Sequence, residues 1–194
     1  MAAMAASERL SPRAAQAVFR VLLDTLARPG RVLALPEPGP GPAPGPGIVP
    51  LALAVVGSPV AVIGDPGWQA RICQATGASA TADTDASLVA VYGTADPATV
   101  SRLRRGSALA PENGAKAGLA CRRLHEGGPG EVTLELSGPG VPGTVRLGVD
   151  GVGPAVFGAL REANALFPAG IDVWLVDGRG QVAGLPRSVR QAVI

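Results

Sequence analysis

Aromatic side chains are scarce, making up 3% of the 194 residues as three Phe, two Trp and one Tyr. Ala, Val and Leu must therefore fill any core, with 27 Gly and 19 Pro shaping the turns. So few rings also leave little on which nucleic-acid bases could stack. There is one histidine, His125, and the two cysteines, Cys73 and Cys121, stand in unrelated contexts, which argues against a zinc site and for free, buried thiols. Lys116 is the sole lysine, the other basic residues being Arg, and the formal charge is only +2. Such a balance gives no strong field to recruit nucleic acid or an anionic membrane. Long apolar runs are missing as well. The longest, Ile48 to Ile63, is broken by Pro50, Gly57, Ser58 and Pro59 and falls short of the roughly 20 residues of a membrane span. Met1 to Leu10 lacks the basic-then-apolar pattern of a secretory signal. The expectation is a soluble, cytoplasmic protein, a single domain over residues 1–194.

What is present is a series of short, well-punctuated apolar segments. Ser11-Pro12 reads as a helix start and Pro29-Gly30 as its stop, with Phe19, Leu22, Leu23 and Leu26 expected on the buried face. Val32 to Leu35 reads as a short strand, and Pro36 to Gly47 as a Pro/Gly-rich surface loop in which neither helix nor central strand can form. Ile48 to Val56 reads as a short helical segment, Val60 to Ile63 as a strand, and Trp68 to Thr76 as a helix ended by Gly77. Further strands are expected at Ser87 to Tyr92, Ala117 to Cys121, Val132 to Leu136, Thr144 to Val149, Ile171 to Val176 and Gln181 to Leu185. Helices are expected from Asp96-Pro97, with Val100 and Leu103 inward, and over Pro154 to Leu166. Helices interleaved with uniformly apolar strands predict an α/β layered domain with a mixed sheet covered on both faces.

No self-sufficient catalytic constellation emerges. Gly138, Gly140 and Gly143 formally spell a dinucleotide-binding fingerprint, but Pro139 and Pro142 remove backbone donors and the following residues alternate like a strand, so a turn is expected. Lys116 lies outside any glycine-rich phosphate cradle. His125-Glu126 lacks the second histidine of a zinc-protease helix, and Gly127-Gly128-Pro129 after it makes His125 an exposed turn residue. Arg102, Arg104, Arg105, Arg122 and Arg123 read as solvated element edges.

Five segments in order resemble the PhnH family, a subunit of the bacterial carbon-phosphorus (C-P) lyase system. They are Phe19 to Gly30, Gly106 to Ala115 with Pro111-Glu112-Asn113-Gly114-Ala115 at its end, Leu136 to Val141, Phe167 to Asp172, and Leu185 to Ser188. The resemblance implies a fold like the large domain of type I pyridoxal-phosphate (PLP) transferases without its cofactor site. It implies no cofactor, a homodimer when isolated, and core partners PhnG, PhnI and PhnJ. With them it would help make ribose 1-methylphosphonate 5-triphosphate from ATP and methylphosphonate. The family supplies no catalytic residue to carry over. Among the matched residues, Pro29, Gly30, Gly138, Gly140, Pro168 and Gly170 are expected to set turns, and Arg28, Asp172 and Arg187 to make an interface or phosphate contact. The sequence departs from the family at Lys116, where Thr is usual, at Gly57, and in the density of Pro and Gly over 36–47. Two rivals stand beside the docking subunit. One is a PLP-dependent transferase using Lys116 for its Schiff base, and the other is a stand-alone nucleotide-binding module.

Overall fold

The structure, a computed structural model, describes residues 9–36 and 44–194. It holds five helices, α1 (Pro12–Ala27), α2 (Ile48–Leu53), α3 (Pro66–Thr76), α4 (Pro97–Arg102) and α5 (Pro154–Ala163). Two 3-10 turns lie at Gly45–Gly47 and Pro111–Asn113. The strands are β1 (Leu33–Ala34), β2 (Pro59–Ile63), β3 (Ser79–Ala80), β4 (Leu88–Val91), β5 (Lys116–Cys121), β6 (Arg123–Glu126), β7 (Val132–Ser137), β8 (Thr144–Asp150), β9 (Asp172–Asp177), β10 (Gln181–Leu185) and β11 (Arg190–Val193).

The larger sheet runs β1-β10-β9-β5-β4-β2-β3, parallel from β9 to β3 and antiparallel at β9/β10 and β10/β1. The inner strand β4 is buried at every position, as the expected mixed sheet covered on both faces requires. Leu88 faces a cluster with α3, while Val89 and Val91 face α4, α5 and the second sheet. In β9, Trp174 and Val176 turn toward α1, and Val173 and Leu175 toward the second sheet. Successive strand residues thus feed two cores on opposite faces.

The second sheet, β11-β7-β8-β6, is antiparallel throughout. It corrects the expectation that all strands are covered on both faces: Val132, Leu134 and Leu136 of β7 are buried, while Thr133, Glu135 and Ser137 between them are partly exposed. β6 and β11 are strands that apolar patterning alone did not reveal, because Leu124 is the only buried residue of β6 and β11 has none. α5 ends at Ala163 rather than at Leu166, because the Asn164 side chain takes over the end. Its Oδ1 accepts from the Ile171 N–H at 2.8 Å and its Nδ2 donates to the Ile171 carbonyl at 3.2 Å.

α1 begins as expected, with Ser11 Oγ accepting the Ala14 N–H at 3.2 Å. Its buried stripe, however, is Val18, Leu22 and Thr25, whereas Phe19 and Leu23 are 45% and 54% exposed and Leu26 is half-buried. The cause is how closely the helix approaches β10. Gly184 lies under Thr25 with no side chain between them, and a Cβ there would stand 2.6 Å from the Thr25 carbonyl oxygen. Thr25 tolerates burial because its hydroxyl donates to the Leu22 carbonyl at 2.9 Å, and the same carbonyl accepts from Trp174 Nε1 at 2.9 Å.

The end of the Pro/Gly-rich segment also departs from expectation, being buried rather than a surface loop. Pro44, Pro46 and Gly47 are buried, Tyr92 Oη donates to the Pro44 carbonyl at 2.7 Å, and Gly118 of β5 leaves room for the Pro46 carbonyl. Residues 37–43 of that loop lie outside the described residues. Cys73 and Cys121 are free, as expected, but half-buried instead of buried.

The Gly138–Gly143 fingerprint is the β7–β8 turn, as the alternation after it predicts. Gly140 has φ +77° and a Cβ on it would overlap the Ala27 carbonyl oxygen, whereas Gly143 has φ +73° with open space around it. Gly143→Ala should therefore cost only the backbone strain, about 1 kcal/mol. Gly140→Ala should cost about 1–2 kcal/mol more, because a backbone carbonyl cannot step aside. Urea unfolding of the two variants checks this, and equal midpoints would refute the close approach.

Candidate functional site

The five segments that carry the family resemblance come together at two places. At the first, Pro29-Gly30 at the end of α1 meets the β7–β8 turn. Gly30 has φ +92°, and its missing side chain makes room for Val145 and Leu136. Gly140 makes room for Ala27 and Pro29. An open cleft of about 290 Å3 results, with Arg28, Arg31, Arg146 and Glu126 around it. Arg28 pairs with Asp24 one helical turn earlier at 3.1 Å and is 65% exposed. Arg31 pairs with Glu126 at 3.1 Å, and Glu126 also accepts the Val32 N–H at 2.8 Å.

At the second place the other three segments, 106–115, 167–172 and 185–188, close around Arg187. Its Nη2 donates to Asp172 Oδ2 at 2.8 Å, its Nε to Asp172 Oδ1 at 3.2 Å, and its Nη1 to the Pro111 carbonyl at 2.6 Å and the Pro168 carbonyl at 3.4 Å. Asp172 Oδ1 also accepts the Arg187 N–H at 2.9 Å. The two side chains are only 11% and 17% exposed. A Cβ on Gly114 would overlap the Gly170 carbonyl oxygen, and Gly170, at φ +151°, makes room for Asn164. Arg187 and Asp172 thus meet each other and clamp three segments. Three large apolar side chains, Leu109, Leu166 and Phe167, stand 98%, 79% and 64% exposed on the clamped loops.

His125 corrects the expectation of an exposed turn histidine. It lies in β6, and its Nε2 sits 3.0 Å from Asp150 Oδ2 at the end of β8. Asp150 Oδ1 accepts the Glu131 N–H at 2.8 Å, Glu131 Oε2 accepts the Gly151 N–H at 2.8 Å, and Glu131 Oε1 accepts from Arg122. The hydrogen bond from His125, then that from Glu131, holds the Asp150 carboxyl below its ordinary range. The Gly151 N–H and then Arg122 do the same for Glu131. The chain closes a strand end instead of presenting a base to a cavity. The Gly-Gly-Pro that follows His125 hid the strand in the sequence, and only the pairing of β6 with β8 shows it.

Lys116 opens β5, half-buried, and its Nζ donates to the Glu112 carbonyl at 3.3 Å. Cys121 at the other end of β5 has its thiol pushed up to about 12, first by burial and then by the charges of Asp177 and Asp150. A thiol so protonated is a poor nucleophile. Arg102 pairs with Asp83 at 3.0 Å and Arg104 donates to the Asp85 carbonyl at 2.8 Å, as element-edge arginines do. Among the described residues no three His, Cys, Asp or Glu side chains gather as a metal-holding group, and no helix is long and apolar enough to cross a membrane.

Comparison with known proteins agrees with the segments that converge here. HtxG of Stutzerimonas stutzeri, described as a candidate C-P lyase subunit protein, is 30% identical over 175 residues, covering 89% of this chain and 83% of that protein. The family described as bacterial phosphonate metabolism protein (PhnH) matches residues 9–192, across both convergent turns and the Arg187 clamp. The chain belongs to the PhnH family of bacterial phosphonate metabolism proteins.

Proposed function

We propose that this chain is a docking subunit of a C-P lyase complex, acting without a cofactor of its own. The complex would attach methylphosphonate to the ribose of ATP, giving ribose 1-methylphosphonate 5-triphosphate, in the cytoplasm and together with PhnG, PhnI and PhnJ. Family membership and the relative's description support the C-P lyase setting. The mixed seven-stranded sheet is compatible with descent from a PLP-transferase large domain.

The observation that carries the docking reading is the outer face of α1. Phe19 and Leu23 point away from the core, and Val21, Ala27 and Leu33 continue an open apolar cleft of about 430 Å3 beside them. β1, next to it, is an edge of the larger sheet. A helix that already buries Val18, Leu22 and Thr25 has no folding reason to carry two further large apolar residues one turn apart outside that stripe. Arg28 and Asp24 rim that face, and Arg28 is the contact residue expected of it. The Asp172–Arg187 pair acts from inside, holding the loops of Leu109, Leu166 and Phe167 in place. The same α1 face would join two copies when the chain is isolated.

The test is the double variant Phe19→Asp/Leu23→Asp. Both positions are about half exposed and lie outside the buried stripe, so its thermal midpoint should fall by no more than about 4–8 °C from the parent. Co-purification with PhnG, PhnI and PhnJ should fall at least tenfold, the isolated chain should become monomeric, and growth on methylphosphonate as sole phosphorus source should fail. Unchanged co-purification would sink the assignment of this face. Growth of cells lacking the gene would sink the subunit reading itself.

A further inference from the structure

The groove between the end of α5 and the segment leading into β11 is a second feature that folding does not explain. It holds about 550 Å3, within the range of small-molecule sites, and no carboxylate among the described residues lines it. Arg161 approaches it from α5 and Arg190 from β11. Arg187, Arg102 and Arg122 have carboxylate partners in Asp172, Asp83 and Glu131. Among the described residues the guanidinium groups of Arg161 and Arg190 have neither an ion pair nor a hydrogen bond. Arg187 also lines the groove, but its charge is already neutralised by Asp172, so two uncompensated positive charges remain. Phe167 and Val189 supply apolar wall, and Ser188 a hydroxyl. Gln191 of the same wall has its amide Oε1 buried without a hydrogen-bond partner, a rare condition for a protein atom.

From this arrangement we infer that the groove is a binding site for a small organic phosphate. The phosphate group is held between the guanidinium groups of Arg161 and Arg190, whose forks match its oxygens, and the organic part lies against Phe167. The walls are rigid enough to select a ligand, because Asn164 is fixed by both its bonds to Ile171 and Arg187 by its clamp. A concave site walled on two sides favours a small molecule over a flat acidic protein surface. The inference does not depend on the docking role of α1.

Titration calorimetry of the full chain with phenyl phosphate and with inorganic phosphate tests it. Phenyl phosphate should bind saturably at one site per chain, several-fold more tightly than inorganic phosphate. Arg161→Ala and Arg190→Ala should each weaken both ligands about tenfold, the loss of a charge-assisted hydrogen bond. Phe167→Ala should abolish the preference for phenyl phosphate. Arg123→Ala, an exposed arginine of β6 away from the groove, should change nothing, and all four variants should melt like the parent. Absence of saturable binding by the parent chain overturns the site. So does an equal loss in Arg123→Ala, which marks unspecific attraction. Unaltered phosphate binding joined to lost co-purification in the Arg161 and Arg190 variants would make the groove a subunit contact and would also overturn it.

Discussion

Leu22→Asp should unfold the protein or come close to it, while Arg20→Asp two residues away should be nearly silent. Leu22 is 1% exposed and lies between α1 and β9, packed with Val18, Ile48, Val49 and Trp174. Losing its burial removes about 1.5–3 kcal/mol, and a carboxylate left without a partner in that cluster adds a penalty of similar size. The sum, about 4 kcal/mol or more, is a large share of the roughly 5–15 kcal/mol that holds a domain together. Arg20 faces solvent, where a charge reversal changes stability by about 0.5 kcal/mol at most. Urea midpoints of the two variants measure the contrast. Similar midpoints would mean that α1 is not docked on the sheet through Leu22.

Arg187→Ala is expected to have the second-largest effect, and through folding rather than through a ligand. The guanidinium makes bonds to Asp172, Pro111 and Pro168, so its removal strands a mostly buried carboxylate and releases two loops at once. Breaking a buried pair costs roughly 3–5 kcal/mol, and the residual exposure of 11% and 17% puts this case toward the lower end. Amide exchange should rise over residues 106–115 and 166–170 before it rises in the sheets. Arg187→Met/Asp172→Leu should recover much of the loss, since no charge is then left alone. A drop below about 1 kcal/mol in the single variant, with protected loops, would refute the clamp.

The Arg187 clamp and the α1 face connect stability to assembly in different ways. The clamp fixes Leu109, Leu166 and Phe167 by hydrogen bonds to backbone carbonyls, which orients loops that have little apolar contact of their own. The α1 face needs no such support, because Phe19 and Leu23 ride on a helix anchored along the adjacent stripe of Val18, Leu22 and Thr25. Weakening the clamp should therefore loosen one surface and leave the other intact.

Local signals decided a great deal. Ser11-Pro12, Asp96-Pro97 and Gly77 mark helix ends because a capping side chain, a proline without N–H and a left-handed glycine act within one turn of chain. The core strands β4, β5 and β9 were legible as apolar runs, and the turn at Gly138–Gly143 as a pair of prolines that cannot cradle a phosphate. What depended on distant partners was not legible. β6 and β11 exist because β8 and β7 bond to them, not because of their own side chains. Which side of α1 is buried was decided by Gly184, some 160 positions away, whose missing side chain draws Thr25 inward and turns Phe19 out. Asp172 and Arg187 could be singled out as residues, but that they face each other and clamp 106–115 is a property of the packed chain. Sequence by itself determined the elements, since caps, prolines and apolar runs act over a few residues. Tertiary structure alone decided faces and partners, since side-chain orientation is settled by whatever arrives opposite, and that comes from far along the chain.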